Sequence, residues 1–412
     1  MDDGHTVTAA TARYAQKKEA ILAAATAVLN RQGVKGMTLA DVAAKVGLIT
    51  TSVTYYYRKK DDLAAACFIR GLERLDAMID EAAAQPDAAG RIRKFLTLYL
   101  DLSRRVRAGE AAPLASFTEI RALKEPMRAS VQAAFADIFR RVRGFFDGEA
   151  FAHLDKAERN ARAHLLLEQV FWTGAWLRRF DLDDYERVRE RMFDILVGGV
   201  AMPGRDWTPP ALPDPTPAAD EGQEWRETFL VAATRLINQR GYRGASVEDI
   251  SAALNVTKGS FYHHHEDKDA LVVECFQRTF AVTRRAQLAA RDLPGSPGDG
   301  WTAVSAATAA LVEYQLSEHG PLLRASSMGA LPIEIRHEMS DGYARGSNRF
   351  AGMIADGIAD GSVRPVDPLV AAHMINSMLN AAASLQAWAP SVTREDAARL
   401  FARPLLMGLM AR

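Results

Sequence analysis

Cysteine is scarce in this chain: Cys67 and Cys275 are the only two in 412 residues. That excludes a disulfide framework and a four-thiolate zinc site, and makes a reducing, cytoplasmic setting the expectation. Long apolar runs are lacking too. Nothing approaches the roughly 18 consecutive apolar residues of a spanning helix, so no membrane partner is expected. Lys17 and Lys18 ahead of Ile21 to Leu29 imitate a signal peptide, but a polar arm precedes them and the reading fails. Glycine-rich phosphate loops, a nucleophile-elbow pentapeptide, His-Glu-x-x-His and metal-spaced cysteine pairs are all absent, so neither catalysis nor a cofactor is expected. Net charge is missing as well, with 51 basic residues against 51 acidic ones.

That zero conceals a split. Residues 1–205 hold 32 Lys and Arg against 27 Asp and Glu, whereas residues 206–412 hold 19 against 24. The chain also repeats itself. Shifted by 208 positions, Glu19 to Arg70 aligns with Glu227 to Arg278 without a gap, and 17 of 52 positions are identical. Asn30 and Asn238, Gly33 and Gly241, Asp41 and Asp249, Lys60 and Lys268, and the two cysteines all fall in register. A period of that length is a whole small protein, so the pattern reads as tandem duplication of a subunit. Between the copies, residues 203–223 contain six prolines among small and acidic residues, which reads as an extended linker with almost nothing apolar to bury.

Both copies read as helix throughout. Ile21, Leu22, Ala25, Val28 and Leu29 make an apolar stripe that Phe229, Leu230, Ala233, Leu236 and Ile237 repeat. Gly33 and Gly241 stop those helices, and Thr38 or Ser246, with a carboxylate three residues on, caps the next. Gly47 or Asn255 then turns the chain into a short helix, which is a helix-turn-helix arrangement. In the second copy that helix carries Thr257, Lys258, Gly259, Ser260, Phe261, Tyr262, His263, His264 and His265, followed by Lys268. In the first it carries Thr50, Thr51, Ser52, Val53, Thr54, Tyr55, Tyr56 and Tyr57, followed by Lys60. Hydroxyls, tyrosines, a lysine and helix N-terminal amides suit phosphate oxygens, and imidazoles suit base edges. Val53 and Phe261 are the expected inward anchors. Three consecutive histidines do not converge on one ion when the backbone is helical, so no metal site is expected there.

At these residues the sequence resembles the tetracycline-repressor-like (TetR) family of transcription regulators. The second copy matches its pattern through Lys258, Gly259, Phe261, Tyr262, His263, His264, Lys268, Asp269 and Leu271. The first matches through Lys60, Asp62 and Leu63, with Thr54 at the place of the family's phosphate-binding tyrosine. The resemblance implies an all-α chain of two units. Each has a helix-turn-helix DNA-binding domain, residues 11–63 and 224–271, followed by a ligand-sensing and dimerisation domain, residues 64–202 and 272–412. It also implies an intramolecular pseudo-dimer. Expected DNA contacts are Thr38, Thr50, Thr51, Ser52, Thr54, Tyr55, Tyr56 and Lys60 in one head. In the other they are Ser246, Thr257, Lys258, Gly259, Ser260, Tyr262, His263, His264 and Lys268. Candidate pocket residues are Phe117, Phe135, Phe139, Phe171, Trp172 and Trp176 in the first lobe and Met328, His337, Met374 and Trp388 in the second, with ordinary core packing as the competing reading.

The expected function is a ligand-responsive repressor of a double-stranded DNA operator, released by a small-molecule effector. Two different reading helices free that operator from palindromy. Further pairing of such pseudo-dimers stays open. The first head, residues 11–70, holds 10 basic and 4 acidic residues, and the second, residues 219–278, holds 7 and 10. Unequal binding, or a second head that has lost DNA contact, follows from that difference. The rival class is an all-helical ligand-binding or assembly protein with one or both heads inactive.

Overall fold

The computed structural model describes residues 3–217, 224–256, 267–293 and 299–411. Most of the second reading segment, with Thr257, Lys258, Gly259, Ser260, Tyr262, His263 and His264, lies outside those residues. The first half runs α1 (Asp3–Gly36), α2 (Leu39–Lys45), α3 (Thr50–Tyr56), α4 (Lys60–Ala83), α5 (Ala88–Arg107), α6 (Met127–Arg143), α7 (Lys156–Phe171) and α8 (Tyr185–Gly198). The second runs α9 (Glu224–Arg240), α10 (Val247–Ala253), α11 (Lys268–Arg291), α12 (Gly300–Gln315), α13 (Ile333–Asp360) and α14 (Pro368–Ala382). It closes on a helical stretch, Arg394–Ala397, Ala398–Ala402 and Arg403–Leu406, whose middle turn is wider than α. Among the described residues, extended pairing is limited to one antiparallel bridge, Ala201 to Val363.

Local sequence explains the heads. The apolar stripes of α1 and α9 are buried along their length. Gly33 and Gly241 stand at φ +70° and +74°, where a side chain is strained, and there the helix breaks. Thr38 Oγ1 accepts from Asp41 N at 3.1 Å, and Ser246 Oγ accepts from Asp249 N at 3.0 Å, so α2 and α10 start at matching caps. Gly47 and Asn255 take left-handed φ of +67° and +54° at the same turn, which glycine and asparagine tolerate best.

The long helices α4 and α11 join each head to its lobe. Arg70 reaches Glu19 at 2.6 Å and the Pro113 carbonyl at 3.3 Å, and Arg278 makes the matching pair with Glu227 at 2.8 Å. Cys67 and Cys275 are fully buried, each with Sγ near the carbonyl of Leu22 or Leu230. Burial pushes the thiols up to about 11 and about 12, so they pack as small apolar groups.

The halves meet along α7 and α8 on one side and α14 with the closing stretch on the other. Polar side chains of α7 reach across to backbone carbonyls. Asn160 Nδ2 donates to Trp388 O at 2.7 Å, Arg162 Nε to Leu409 O at 3.1 Å, and Gln169 Nε2 to Met374 O at 2.9 Å; His164 Nε2 lies 3.1 Å from Ala381 O. At the ends backbone meets backbone: Val200 N donates to Leu406 O and Leu409 N to Leu196 O, both at 2.7 Å. A Cβ on Gly199 would stand 2.4 Å from Leu406 O, and one on Gly408 would stand 2.4 Å from Val197 O.

The linker differs from its reading as chain with almost nothing to bury. Trp207 and Leu212 pack against the core, Trp207 meets Trp301 edge to face at 6.2 Å, and Arg205 pairs with Asp299 at 2.9 Å. Counting prolines hid these anchors.

Gly199→Val should destabilise the protein by about 3 kcal/mol or more, since it adds strain at φ +69° to a backbone clash. Gly174→Ala, where a Cβ meets nothing within 4 Å, should cost little. Urea melts of both variants check the difference, and equal midpoints would refute the tight crossing.

Candidate nucleic-acid interface and ligand cavity

In the first head, Thr50, Thr51 and Tyr55 are exposed on α3, Ser52, Thr54 and Tyr56 are half-buried, and Val53 turns inward with no exposure. Tyr55, 76% exposed, stands at the outer edge. Tyr14 of α1 backs this edge, with its ring centroid 4.8 Å from Tyr56 and 6.4 Å from Tyr55. Sequence reasoning missed Tyr14, and a tyrosine on the polar stretch of α1 was the signal for it. Thr54 donates to Thr51 O at 2.9 Å, so its hydroxyl faces its own helix. Thr38 and Ser246 are likewise occupied at their caps.

Lys60 and Lys268 serve as struts. Lys60 Nζ donates to Lys35 O at 2.9 Å, and Lys268 Nζ donates to Tyr242 O while lying 4.2 Å from the centre of the Tyr242 ring. Lys60 closes the carbonyl end of α1 against the start of α4, a favourable placement for a cation, and Lys268 ties the start of α11 to the 3-10 turn that follows α9.

A matching asparagine fastens each head to its lobe. Asn30 Nδ2 donates to Leu114 O at 2.8 Å and Asn30 Oδ1 accepts from Ser116 N at 2.8 Å. Asn238 does the same with Leu322 O at 2.9 Å and Arg324 N at 3.1 Å. The segments so held run directly into two 3-10 turns, Phe117–Ala122 and Ala325–Ala330. The first turn also bridges the heads: Glu119 accepts from Val34 N at 3.2 Å, and Arg121 donates to Asn238 O. Both asparagines were visible as repeat identities, but nothing local named their partners.

Between the halves lies a cavity of about 500 Å³, part of it open to solvent, lined by Trp172, Trp176, Arg179, Ala325, Tyr343 and His373, among others. Trp176 stacks on His373 with centroids 5.0 Å apart and planes 10° from parallel. Burial, with the Arg179 charge adding to it, pulls His373 down to about 4, so its ring is neutral near pH 7.

Residues 21–67 and 229–275 each match the family model described as bacterial regulatory proteins, tetR family. The chain thus carries two copies of the tetR-family module, 208 residues apart. It is 40% identical over 60 residues to the HTH-type transcriptional repressor DhaR of Mycobacterium sp. (strain GP1), covering 15% of this chain and 30% of that protein. It is 43% identical over 63 residues to the HTH-type transcriptional repressor KstR2 of Rhodococcus jostii (strain RHA1), again 15% and 30%. The Transposon Tn10 TetC protein of Escherichia coli is 26% identical over 97 residues, 24% of this chain and 47% of that protein. The chain therefore spans less than half the length of each of these relatives. Among solved structures, the TetR family transcriptional regulator PfmR from Thermus thermophilus is 24% identical, with a TM-score of 0.38, covering 45% of this chain and 99% of that one. Apo AibR is 21% identical, with a TM-score of 0.36, covering 44% and 97%.

The two tetR units do not share out the candidate pocket residues as sequence alone assigned them. Trp172 and Trp176 of the first unit and Met328 of the second line one cavity together. Phe117, Phe135 and Phe171 pack on one another, and Trp388 of the second unit joins them at Phe135 and stacks 4.0 Å from Phe139. Trp388 thus belongs to the first lobe's aromatic cluster. His337 is exposed on α13 and outside the lining of that cavity, because the buried stripe passes through Met339 and Gly342 instead. Met374 is wholly buried in the contact between halves, where its carbonyl accepts from Gln169. Among the described residues, no three His, Cys, Asp or Glu side chains gather to hold a metal, and no helix is long and apolar enough to cross a membrane.

His373 gives a pH dependence with a definite sign. Above pH ~6.5 it is neutral whether folded or unfolded. As pH falls towards 4 the unfolded chain takes up the proton and the folded chain refuses it, so stability is lost across that window. The loss should be roughly 3 kcal/mol. Urea titrations of the native protein and His373→Phe between pH 7 and 4 should diverge by that amount, and parallel curves would refute the neutral, buried ring.

Proposed function

We propose that this chain is a ligand-responsive DNA-binding transcription regulator, a repressor that a small molecule releases from its operator. The observation that carries the reading is the doubled tetR module, whose described first head presents hydroxyl and tyrosine groups outward on α3 and keeps Val53 within. Thr50, Thr51, Ser52, Tyr55 and Tyr56 would meet phosphates and base edges there, with Tyr14 stiffening the tyrosine edge. The family's usual phosphate contacts would come from the second head's Lys258, Tyr262, His263 and His264. Because the heads differ in sequence and in sign of charge, the operator is asymmetric and the first head dominates its salt dependence.

The two halves act as an internal pseudo-dimer, with α7 and α14 as the shared core. The asparagine clamps supply the coupling. Arg324 N, held by Asn238, immediately precedes the 3-10 turn whose Ala325 and Met328 form cavity wall. A ligand that moves the turn moves the second head. Release then follows only if the ligand prefers one arrangement of the heads over the other.

Gel shifts with DNA flanking the chain's own gene test this. Retention should be strong at about 50 mM salt and fall steeply by about 200 mM, as displaced counterions require. Tyr55→Ala with Tyr56→Ala should weaken binding at least ~30-fold, and Asn238→Ala should leave binding by the first head in place while blunting any ligand response. Unchanged tight binding by the double tyrosine variant would reject the placement of the reading surface.

A further inference from the structure

The 208-residue register persists well beyond the heads. The asparagine clamps hold Leu114 and Ser116 in one half and Leu322 and Arg324 in the other. Along α6 with the 3-10 turn after it, and along α13, Val131 and Met339, Val142 and Phe350, and Phe146 and Ile354 are buried at matching positions. On α7 and α14 the register becomes 212: Asp155 and Asp367 cap the two helices, and Trp176 and Trp388 follow them at equal distance. Each tryptophan reaches the opposite half, Trp388 meeting Phe135 and Phe139, and Trp176 meeting His373.

This correspondence makes the cavity and the aromatic cluster two versions of one place. Phe117 corresponds to Ala325, Phe135 to Tyr343, Phe139 to Ser347 and Phe171 to Ala383. Three of four phenylalanines are replaced by alanine or serine. In the first lobe the rings of Phe117, Phe135 and Trp388 fill the space, while in the second only Ala325 and Tyr343 of these counterparts line the hollow beside Trp176, which opens partly to solvent. Deleting an aromatic side chain without collapse leaves such a hollow.

The lining specifies the occupant. Trp172, Trp176, Tyr343 and His373 offer flat faces, and Trp176 Nε1 is buried with no acceptor among the described residues. Arg179, exposed at the rim, has no carboxylate partner among the ion pairs of the described residues. We infer that the chain holds a single effector site, built from both halves at Trp176 and Ala325, that takes a planar aromatic anion, and that its twin is permanently closed by Trp388 and the phenylalanines. This deepens the ligand-responsive reading and rests on it. The site itself is testable without DNA.

The probe is 8-anilino-1-naphthalenesulfonate, an aromatic anion that brightens in apolar surroundings, titrated against the full chain by fluorescence and calorimetry. One molecule should bind per chain. Ala325→Phe, which restores the first lobe's filling, should weaken binding at least about tenfold while circular dichroism and melting temperature stay close to native. Arg179→Gln should weaken the sulfonate about fivefold and leave the uncharged analogue N-phenyl-1-naphthylamine unchanged. Two equivalent molecules per chain, undiminished binding by a folded Ala325→Phe, no binding of either dye, or equal effects of Arg179→Gln on both dyes would each overturn the assignment. Should Ala325→Phe fail to fold, stoichiometry and the Arg179→Gln comparison decide. A parallel gel shift separates the two claims: one bound dye that leaves DNA retention unchanged upholds the site and removes the dye as an effector, whereas absent DNA binding strikes at the regulator and leaves the site standing.

Discussion

Where Gly199 passes Gly408, two polypeptide backbones lie too close for any side chain between them, and each completes the other's hydrogen bonding. A helix ends with carbonyls that lack partners in its own turn. Here Leu406 O accepts from Val200 and Ala201, Leu196 O accepts from Leu409, and Arg162 reaches Leu409 and Ala411. Neither half satisfies its own last turn, and a buried polar group left alone costs more than a made bond returns. The lobes are thereby fixed relative to each other, and the heads, hung from those lobes by Asn30 and Asn238, inherit the arrangement.

Fusion of the halves changes what substitutions can do. In a symmetric pair of identical subunits every replacement occurs twice, so a residue that opens one lobe opens both. Within one chain Phe117 and Phe139 can persist where Ala325 and Ser347 have taken over. The packed aromatic cluster keeps the density of an ordinary core, which holds the shared α7 and α14 contact firm while the other side gives up volume. The heads show the same divergence in charge and in reading residues, with hydroxyls and tyrosines in one and lysine and histidines in the other.

The features legible in the sequence were those fixed by neighbours in the chain. The stripes of α1 and α9, the caps at Thr38 and Ser246, the turns at Gly47 and Asn255 and the inward Val53 all follow from spacing and backbone preference. The features that escaped depend on partners far along the chain. Trp388 looked like lining for its own lobe, yet it stacks on Phe139 of the other, since a bulky apolar residue does not name the cavity it fills. Trp207 was lost among prolines. Lys60 and Lys268 have the chemistry of phosphate ligands, and that chemistry serves equally well on backbone carbonyls where the first helix of each head ends or turns, where the structure places both. His337 fell on the wet side of α13, two positions before the buried Met339, because helical spacing alone does not fix which face turns inward.

On the single-site reading, one cavity instead of two also sets the energetic task. Moving an equilibrium from 1:99 to 99:1 needs about 10⁴-fold preferential binding, near 5.5 kcal/mol. Two identical sites would divide that into about 100-fold each and respond sigmoidally to the ligand. A single site must supply all of it in one event, and its response is hyperbolic. The structure favours such economy of transmission: the cavity wall at Ala325 lies one residue from the amide that Asn238 holds, and the same α9 segment accepts Arg121 from the first half's turn. Displacement of that turn by a ligand strains a short hydrogen-bonded chain that ends in both heads.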